Sequence, residues 1–202
     1  MLDTQSNQTE QPRQEGCVER MPMESGKCSG ISGSMLLTPG RFPDRRGSFT
    51  EIFRSSWFDG LFGGDVQINC TRSMAGVLRG LHYHLKQTDL WFPVEGRVLA
   101  ALLDLRPDSP DLGRSVTIEM DSSAGSALLI PPGVAHGYLS KTPSTMIYVV
   151  NNFYDGTDEY GTAWDDPANG IDWGVSDPIV SPRDASNPPL RDAGPLALVM
   201  GG

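Results

Sequence analysis

The chain has 202 residues, 38% hydrophobic and 20% charged, with a formal net charge of −9. That length suits one domain, and the acidic balance excludes a general nucleic-acid binder, which needs a basic face to displace counterions from phosphates. No apolar run approaches the roughly 20 residues that cross a bilayer. The three cysteines, Cys17, Cys28 and Cys70, form neither an even disulfide framework nor a metal-type spacing, so a cytoplasmic protein without membrane association is expected.

Residues 1–34 are polar and Gly/Ser-rich, with almost no large aliphatics. Such a segment buries too little apolar surface to offset its ordering entropy. The expectation is therefore disorder over 1–34, a folded domain over 35–190 and a loose tail over 191–202. Inside the domain, eight short apolar or alternating runs read as strands: SFTEIF (48–53), DVQINCT (65–71), GVLRGLHYHL (76–85), GRVLAALLDL (96–105), RSVTIEM (114–120), SALLI (126–130), AHGYL (135–139) and TMIYVVNNFY (145–154). RPDSPDLG, DSSAG, PPG and KTPS between them are turn signals. No window holds a 3.6-residue apolar stripe longer than two turns. Many short strands at even spacing imply an all-β sandwich or barrel.

The chain has three histidines. His82 and His84 lie two apart in one expected strand, so their side chains share a face. His136 follows the PPG turn in LLIPPGVAHGY. A histidine that only completes a core is the ordinary reading of any one of these; three in matching strand contexts point to a site.

The blocks GVLRGLHYH (76–84), DLRPDSPDLG (104–113), LLIPPGVAHGY (128–138), WDDPANGIDW (164–173) and SPRDASNPPL (181–190), with DRRGSFTEIF (44–53) and QINCTRS (67–73) upstream, resemble the dTDP-4-dehydrorhamnose 3,5-epimerase family in order and spacing. The resemblance spans roughly residues 36–190. It implies a jelly-roll (cupin) barrel with short flanking helices or turns. It also implies an isomerase of deoxysugar biosynthesis, rhamnose-type, that needs no cofactor. The implied reaction is epimerisation at C3, C5 or both of a dTDP-4-keto-6-deoxyhexose, by proton abstraction to an enolate and reprotonation. The implied partners are that nucleotide sugar and a second copy of the chain, in a homodimer that exchanges a strand.

Residue by residue, the resemblance makes His82 the base and Asp184 the carboxylate that orients it. Tyr148 becomes the acid on the opposite face, a phenol that stays neutral at pH 7. Arg46 and Arg79 match arginines suited to phosphate. Glu51, Gln67 and Asn69 match sugar and base contacts, His136 a histidine near the sugar, and Tyr154 and Glu159 further ligand contacts. Arg183 stands where the family usually has lysine. Taken singly, Asp184 reads as a turn residue, Tyr148 as a strand tyrosine and Arg46 as a solvated charge.

Two positions depart from the family pattern, which reads H-Y-Q and then Q-G-K-L. Here the residues are His82-Tyr83-His84 and Gln87-Thr88-Asp89-Leu90. Asp89 thus replaces a lysine placed near the enolate oxygen. Two like charges about 4 Å apart cost roughly 4 kcal/mol at an effective dielectric of about 20, which is around a thousandfold in rate. Asp89 must therefore point elsewhere, carry a proton or bind a cation. In the last case His82, His84, Asp89 and His136 form a ligand set suited to Fe, Mn, Ni, Co or Zn. The alternative function is then a metal-dependent cupin enzyme, an oxygenase or isomerase, in which His82 could not be both ligand and base.

Overall fold

In the computed structural model, which describes residues 23–154 and 156–194, thirteen strands are placed: β1 Met23–Cys28, β2 Met35–Pro39, β3 Arg41–Asp44, β4 Gly47–Thr50, β5 Gln67–Ser73, β6 Leu78–Tyr83, β7 Asp89–Glu95, β8 Arg97–Asp104, β9 Ser115–Asp121, β10 Ala127–Ile130, β11 Val134–Ser140, β12 Ser144–Val150 and β13 Tyr160–Gly161. They form a six-stranded sheet in the order β1-β2-β10-β7-β12-β5 and a five-stranded sheet in the order β13-β6-β11-β8-β9, with β3 and β4 as a separate hairpin. The ladders are antiparallel, and the only helices among the described residues are four 3-10 turns. This is an all-β jelly-roll barrel. Among the described residues no helix is long and apolar enough to cross a membrane.

The two-residue period of the strands sorts their side chains into three layers. Val98, Ala100 and Leu102 of β8 point between the sheets with Leu128 and Ile130 of β10, Trp91 of β7 and Met146 of β12. The alternate residues Leu99, Ala101 and Leu103 meet Leu78, Leu81, Tyr83, Trp173 and Leu190, so the C-terminal segment covers the outside of the five-stranded sheet. Leu90, Phe92, Ala127, Leu129 and Val149 pack beneath Phe58 and Phe62 on the outside of the other sheet. Both faces of these strands are buried, which is why VLAALLDL and ALLI read as continuous apolar runs rather than alternating ones. Deleting Leu102, fully buried, to alanine belongs to the class of core truncations that cost about 2–5 kcal/mol.

The strand β7 is absent from the eight runs because Pro93 sits inside DLWFPVE, and proline cannot donate to a ladder. The structure nevertheless places β7 centrally, between β10 and β12. The register with β12 shifts between Thr145 and Met146, where Pro93 faces Met146; an irregularity of this kind accommodates a strand residue without an N–H.

The folded part begins before residue 35. Strand β1 pairs with β2, and Ile31 is fully buried in the inner core. Ser32 donates through its N and Oγ to Asp111 at 2.8 and 2.6 Å, and Arg106 Nη2 donates to the Ser32 carbonyl at 2.7 Å. One aliphatic side chain and these bonds thus hold part of the segment expected to be disordered; residues 1–22 lie outside the described residues. At the other end Leu190 and Ala193 are buried, so order extends past residue 190, while residues 195–202 are not described.

Candidate active site

A cavity of about 490 Å³ opens between the sheets, walled by strands β5, β7 and β12 on one side and β6 and β11 on the other. Its inner wall follows from register. Tyr148 of β12 lies opposite Asn69 of β5 and Trp91 of β7, and directly opposed residues of an antiparallel pair share a face. His82 of β6 lies opposite His136 of β11. Between these two strands the register shifts, and the backbones come unusually close. A Cβ on Gly80, whose φ is +120°, would lie 2.6 Å from the Gly137 Cα and 2.8 Å from the His136 carbonyl oxygen. Glycine is required there to let the chains touch.

His82 Nε2 and Asp184 Oδ1 are 2.7 Å apart, and Gly80 N donates to Asp184 Oδ2 at 3.2 Å. Asp184 itself is buried, fixed by its N donating to Ser181 Oγ at 3.0 Å. Burial raises the Asp184 carboxyl, but the bonds from His82 and Gly80 outweigh it and hold it below the ordinary carboxylate range. An ionised carboxylate only accepts, so His82 Nε2 carries the proton and Nδ1 keeps the lone pair. Tyr148 is pushed the other way: burial, then the nearby Asp89 carboxylate, raise its phenol above 10. The cavity therefore holds an oriented base and a protonated phenol.

The rest of the lining is polar. Gln67 Nε2 donates to Asn69 Oδ1 at 2.9 Å, and Gln67 Oε1 accepts from Tyr154 N at 3.1 Å. Arg183 Nη1 donates to Glu159 Oε1 at 2.6 Å; burial raises the Glu159 carboxyl, and the Arg183 bond and charge more than reverse this. Arg79 Nε donates to Ser73 Oγ at 3.0 Å.

Ten of the twelve sequence-derived catalytic and binding residues thus line one cavity: His82, Tyr148, Asp184, Gln67, Asn69, Arg79, His136, Tyr154, Glu159 and Arg183. Arg46 and Glu51 do not. Arg46 sits at the tip of the β3–β4 hairpin, paired with Asp44 and with its side chain 83% exposed, and Glu51 pairs with Arg54 at 2.8 Å. Trp91, Tyr138, Gln87 and Asp158 also line the cavity and were not singled out from the sequence. Trp91 and Gln87 flank Asp89 at spacings of two, a signal that was lost with β7. Tyr138 is two residues beyond His136 on β11.

Asp89 does not point elsewhere. It is buried and faces the cavity beside His84 and His136. Of the four candidate metal ligands, His84, Asp89 and His136 converge, with one potential ligand atom of each within 4.8 Å of the others. His82 is not among them, because it is turned to Asp184. Burial pushes the His136 imidazole down to about 4, against the pull of Asp89, so this ring is neutral at pH 7.

Residues 29–192 match the family model described as dTDP-4-dehydrorhamnose 3,5-epimerase. The chain is 34% identical over 170 residues to the dTDP-4-dehydrorhamnose 3,5-epimerase of Shigella flexneri, covering 81% of this chain and 94% of that protein. The rmlC epimerase of Mycobacterium tuberculosis superposes with a TM-score of 0.78 at 31% identity, covering 84% of this chain and 90% of that one. ChmJ, a 3'-monoepimerase from Streptomyces bikiniensis solved in complex with dTDP-quinovose, superposes with a TM-score of 0.73 at 32% identity, covering 79% and 84%. The alternative of an oxygenase or other isomerase built on a four-ligand centre is not favoured by these relatives, and its ligand set is not assembled. The chain belongs to the dTDP-4-dehydrorhamnose 3,5-epimerase family.

Proposed function

We propose that the chain epimerises the hexose of a dTDP-4-keto-6-deoxy sugar, at C3, C5 or both, by removing a proton next to the ketone and returning one to the opposite face. The observation that carries this reading is an oriented base and a neutral phenol in one cavity: His82, bonded to Asp184 at 2.7 Å, and Tyr148. The ketone acidifies the neighbouring C–H bonds. His82 Nδ1 takes the proton, and the buried Asp184 carboxylate stabilises the imidazolium that results. The electron pair passes to the ketone oxygen as an enolate, and Tyr148 Oη delivers a proton to the other face. Each of these transfers is worth about 10²–10⁴-fold in rate.

Polar side chains around the opening suit the nucleotide. Arg79 and Arg183 offer planar forks to phosphate. Gln67, Asn69, Tyr154 and Glu159 are placed for sugar and base contacts, and His136 forms wall beside the hexose. The reading extends to a cytoplasmic homodimer. Phe42 and Phe49 on the β3–β4 hairpin are 58% and 66% exposed, and apolar rings side by side on a surface favour a protein partner. A second copy would cover them and bring Arg46 and Glu51 toward a neighbouring cavity.

The test is to incubate the full chain with dTDP-4-keto-6-deoxyglucose in heavy water and read deuterium at C3 and C5 by NMR. Incorporation at one or both carbons is expected, with His82→Ala abolishing it. Tyr148→Phe should slow inversion by about 10²–10⁴-fold while dTDP binding persists. No deuterium at either carbon would overturn the assignment.

A further inference from the structure

Three side chains on the cavity wall turn lone pairs toward one another. The His84 ring bonds through Nδ1 to the Asp158 carbonyl at 2.5 Å, and the His136 ring through Nδ1 to the Val134 carbonyl at 2.9 Å. A carbonyl only accepts, so each Nδ1 carries a hydrogen and Nε2 is the ring nitrogen left to act as a ligand. Asp89 adds an acceptor-only carboxylate, with its Oδ2 3.9 Å from His84 Nε2. All three side chains are largely buried, at 11% and 5% side-chain exposure for His84 and Asp89 and 4% exposure for His136. Gln87 Nε2 donates to Asp89 Oδ2 at 3.1 Å, and one neutral amide cannot balance a carboxylate facing two imidazole lone pairs. A buried arrangement of this kind calls for a positive charge at its centre.

We propose that His84, Asp89 and His136 bind one divalent first-row transition-metal ion on the wall of the cavity. Two imidazoles and one carboxylate suit Zn, Mn, Fe, Co or Ni. Ligating histidines characteristically donate their other ring nitrogen to a carbonyl or carboxylate, which fixes tautomer and orientation, and both rings here do so. Nitrogen and oxygen ligands stand about 2.0–2.2 Å from such an ion, hence about 3.0–3.6 Å from each other, so the ligand atoms, now within 4.8 Å of one another, draw together by roughly 1 Å through side-chain rotation. Three protein ligands leave coordination positions open toward the cavity that His82 and Tyr148 also line. His82 is outside the set and committed to Asp184, so base and metal ion coexist, unlike in a four-ligand centre. Resting on the epimerase reading, the ion would supply positive charge near the substrate ketone where Asp89 replaces the lysine. The rival occupant is a proton shared between His84 and Asp89.

The experiment uses the untagged full chain, loaded with Zn²⁺ or Co²⁺, desalted and assayed for bound metal. About one ion per chain is expected, with visible Co²⁺ absorption bands of a nitrogen- and oxygen-ligated ion. Asp89→Asn and His136→Gln, checked for folding by circular dichroism, should lose the ion at the same free metal concentration, and His82→Asn should keep it. Less than about a tenth of an ion per wild-type chain, or binding unaffected in folded Asp89→Asn and His136→Gln, would overturn the proposal, and the wild-type stoichiometry decides even where a variant fails to fold. Deuterium exchange into the sugar by metal-free and metal-loaded protein separates the two readings. Exchange by a chain that takes up no ion leaves the function standing and removes the site; a bound ion without exchange does the reverse.

Discussion

Asp184 sits 102 residues from His82 in the chain and is the residue on which the proposed base depends. Its carboxyl lies below the ordinary range in the folded protein, so its contribution to stability is present above the ordinary carboxyl value of 3.8 and is lost as pH falls through the lowered folded value. Asp184→Asn should therefore destabilise the protein at pH 7 but not in strong acid, which denaturant titration at the two pH values checks. The amide cannot hold the imidazole as a carboxylate does, and kcat should fall by roughly 10³–10⁴-fold with the fold intact. Tyr148 gives the opposite pH signature. With its phenol raised above 10 by burial and by Asp89, it stays protonated across the neutral and mildly alkaline range. The phenolate absorbance missing from Tyr148→Phe should appear only above pH 10.

At the scale of elements, the crossing of β6 and β11 aims the histidines. Gly80 and Gly137 let the two backbones meet where His82 and His136 stand opposite each other. Gly80→Ala puts a methyl group within 2.6 Å of backbone at a φ that L-residues rarely adopt. Combined strain and overpacking make a loss of about 2–4 kcal/mol the expectation, measured by urea unfolding, with activity falling further as His82 is displaced. The strand β7 matters in a different way. It carries Trp91 into the core and Asp89 to the cavity wall, so the Pro93 irregularity with β12 belongs to the element that holds the wall in place.

At the scale of the molecule, the apolar hairpin is the feature that a lone chain leaves unexplained. Phe49→Asp should convert a dimer to a species of about 21.9 kDa in light scattering. Wild-type protein already at that mass would remove the homodimer from the reading. If Arg46 and Glu51 act across that interface, the same variant weakens substrate binding although no residue of its own cavity has changed.

The sequence by itself determined the parts whose cause is local. Alternation and turn chemistry placed the eight recognised strands, because a two-residue period and Gly/Pro punctuation are written into short stretches. The residue types of the site, imidazole, carboxylate and phenol, were legible through motif blocks at family spacing. Distance between remote segments was not legible. The resemblance pairs His82 with Asp184, but only closure of the barrel decided that His82 stays apart while His84 joins Asp89 and His136, since alternation places His82 and His84 on one face without saying which neighbours cross from other strands. Pro93 hid a central strand, because its missing N–H is a local fault that a shift in the register with β12 accommodates. Likewise, the hydrophobicity of residues 1–34 could not reveal that the single side chain of Ile31 fills a place in the inner core.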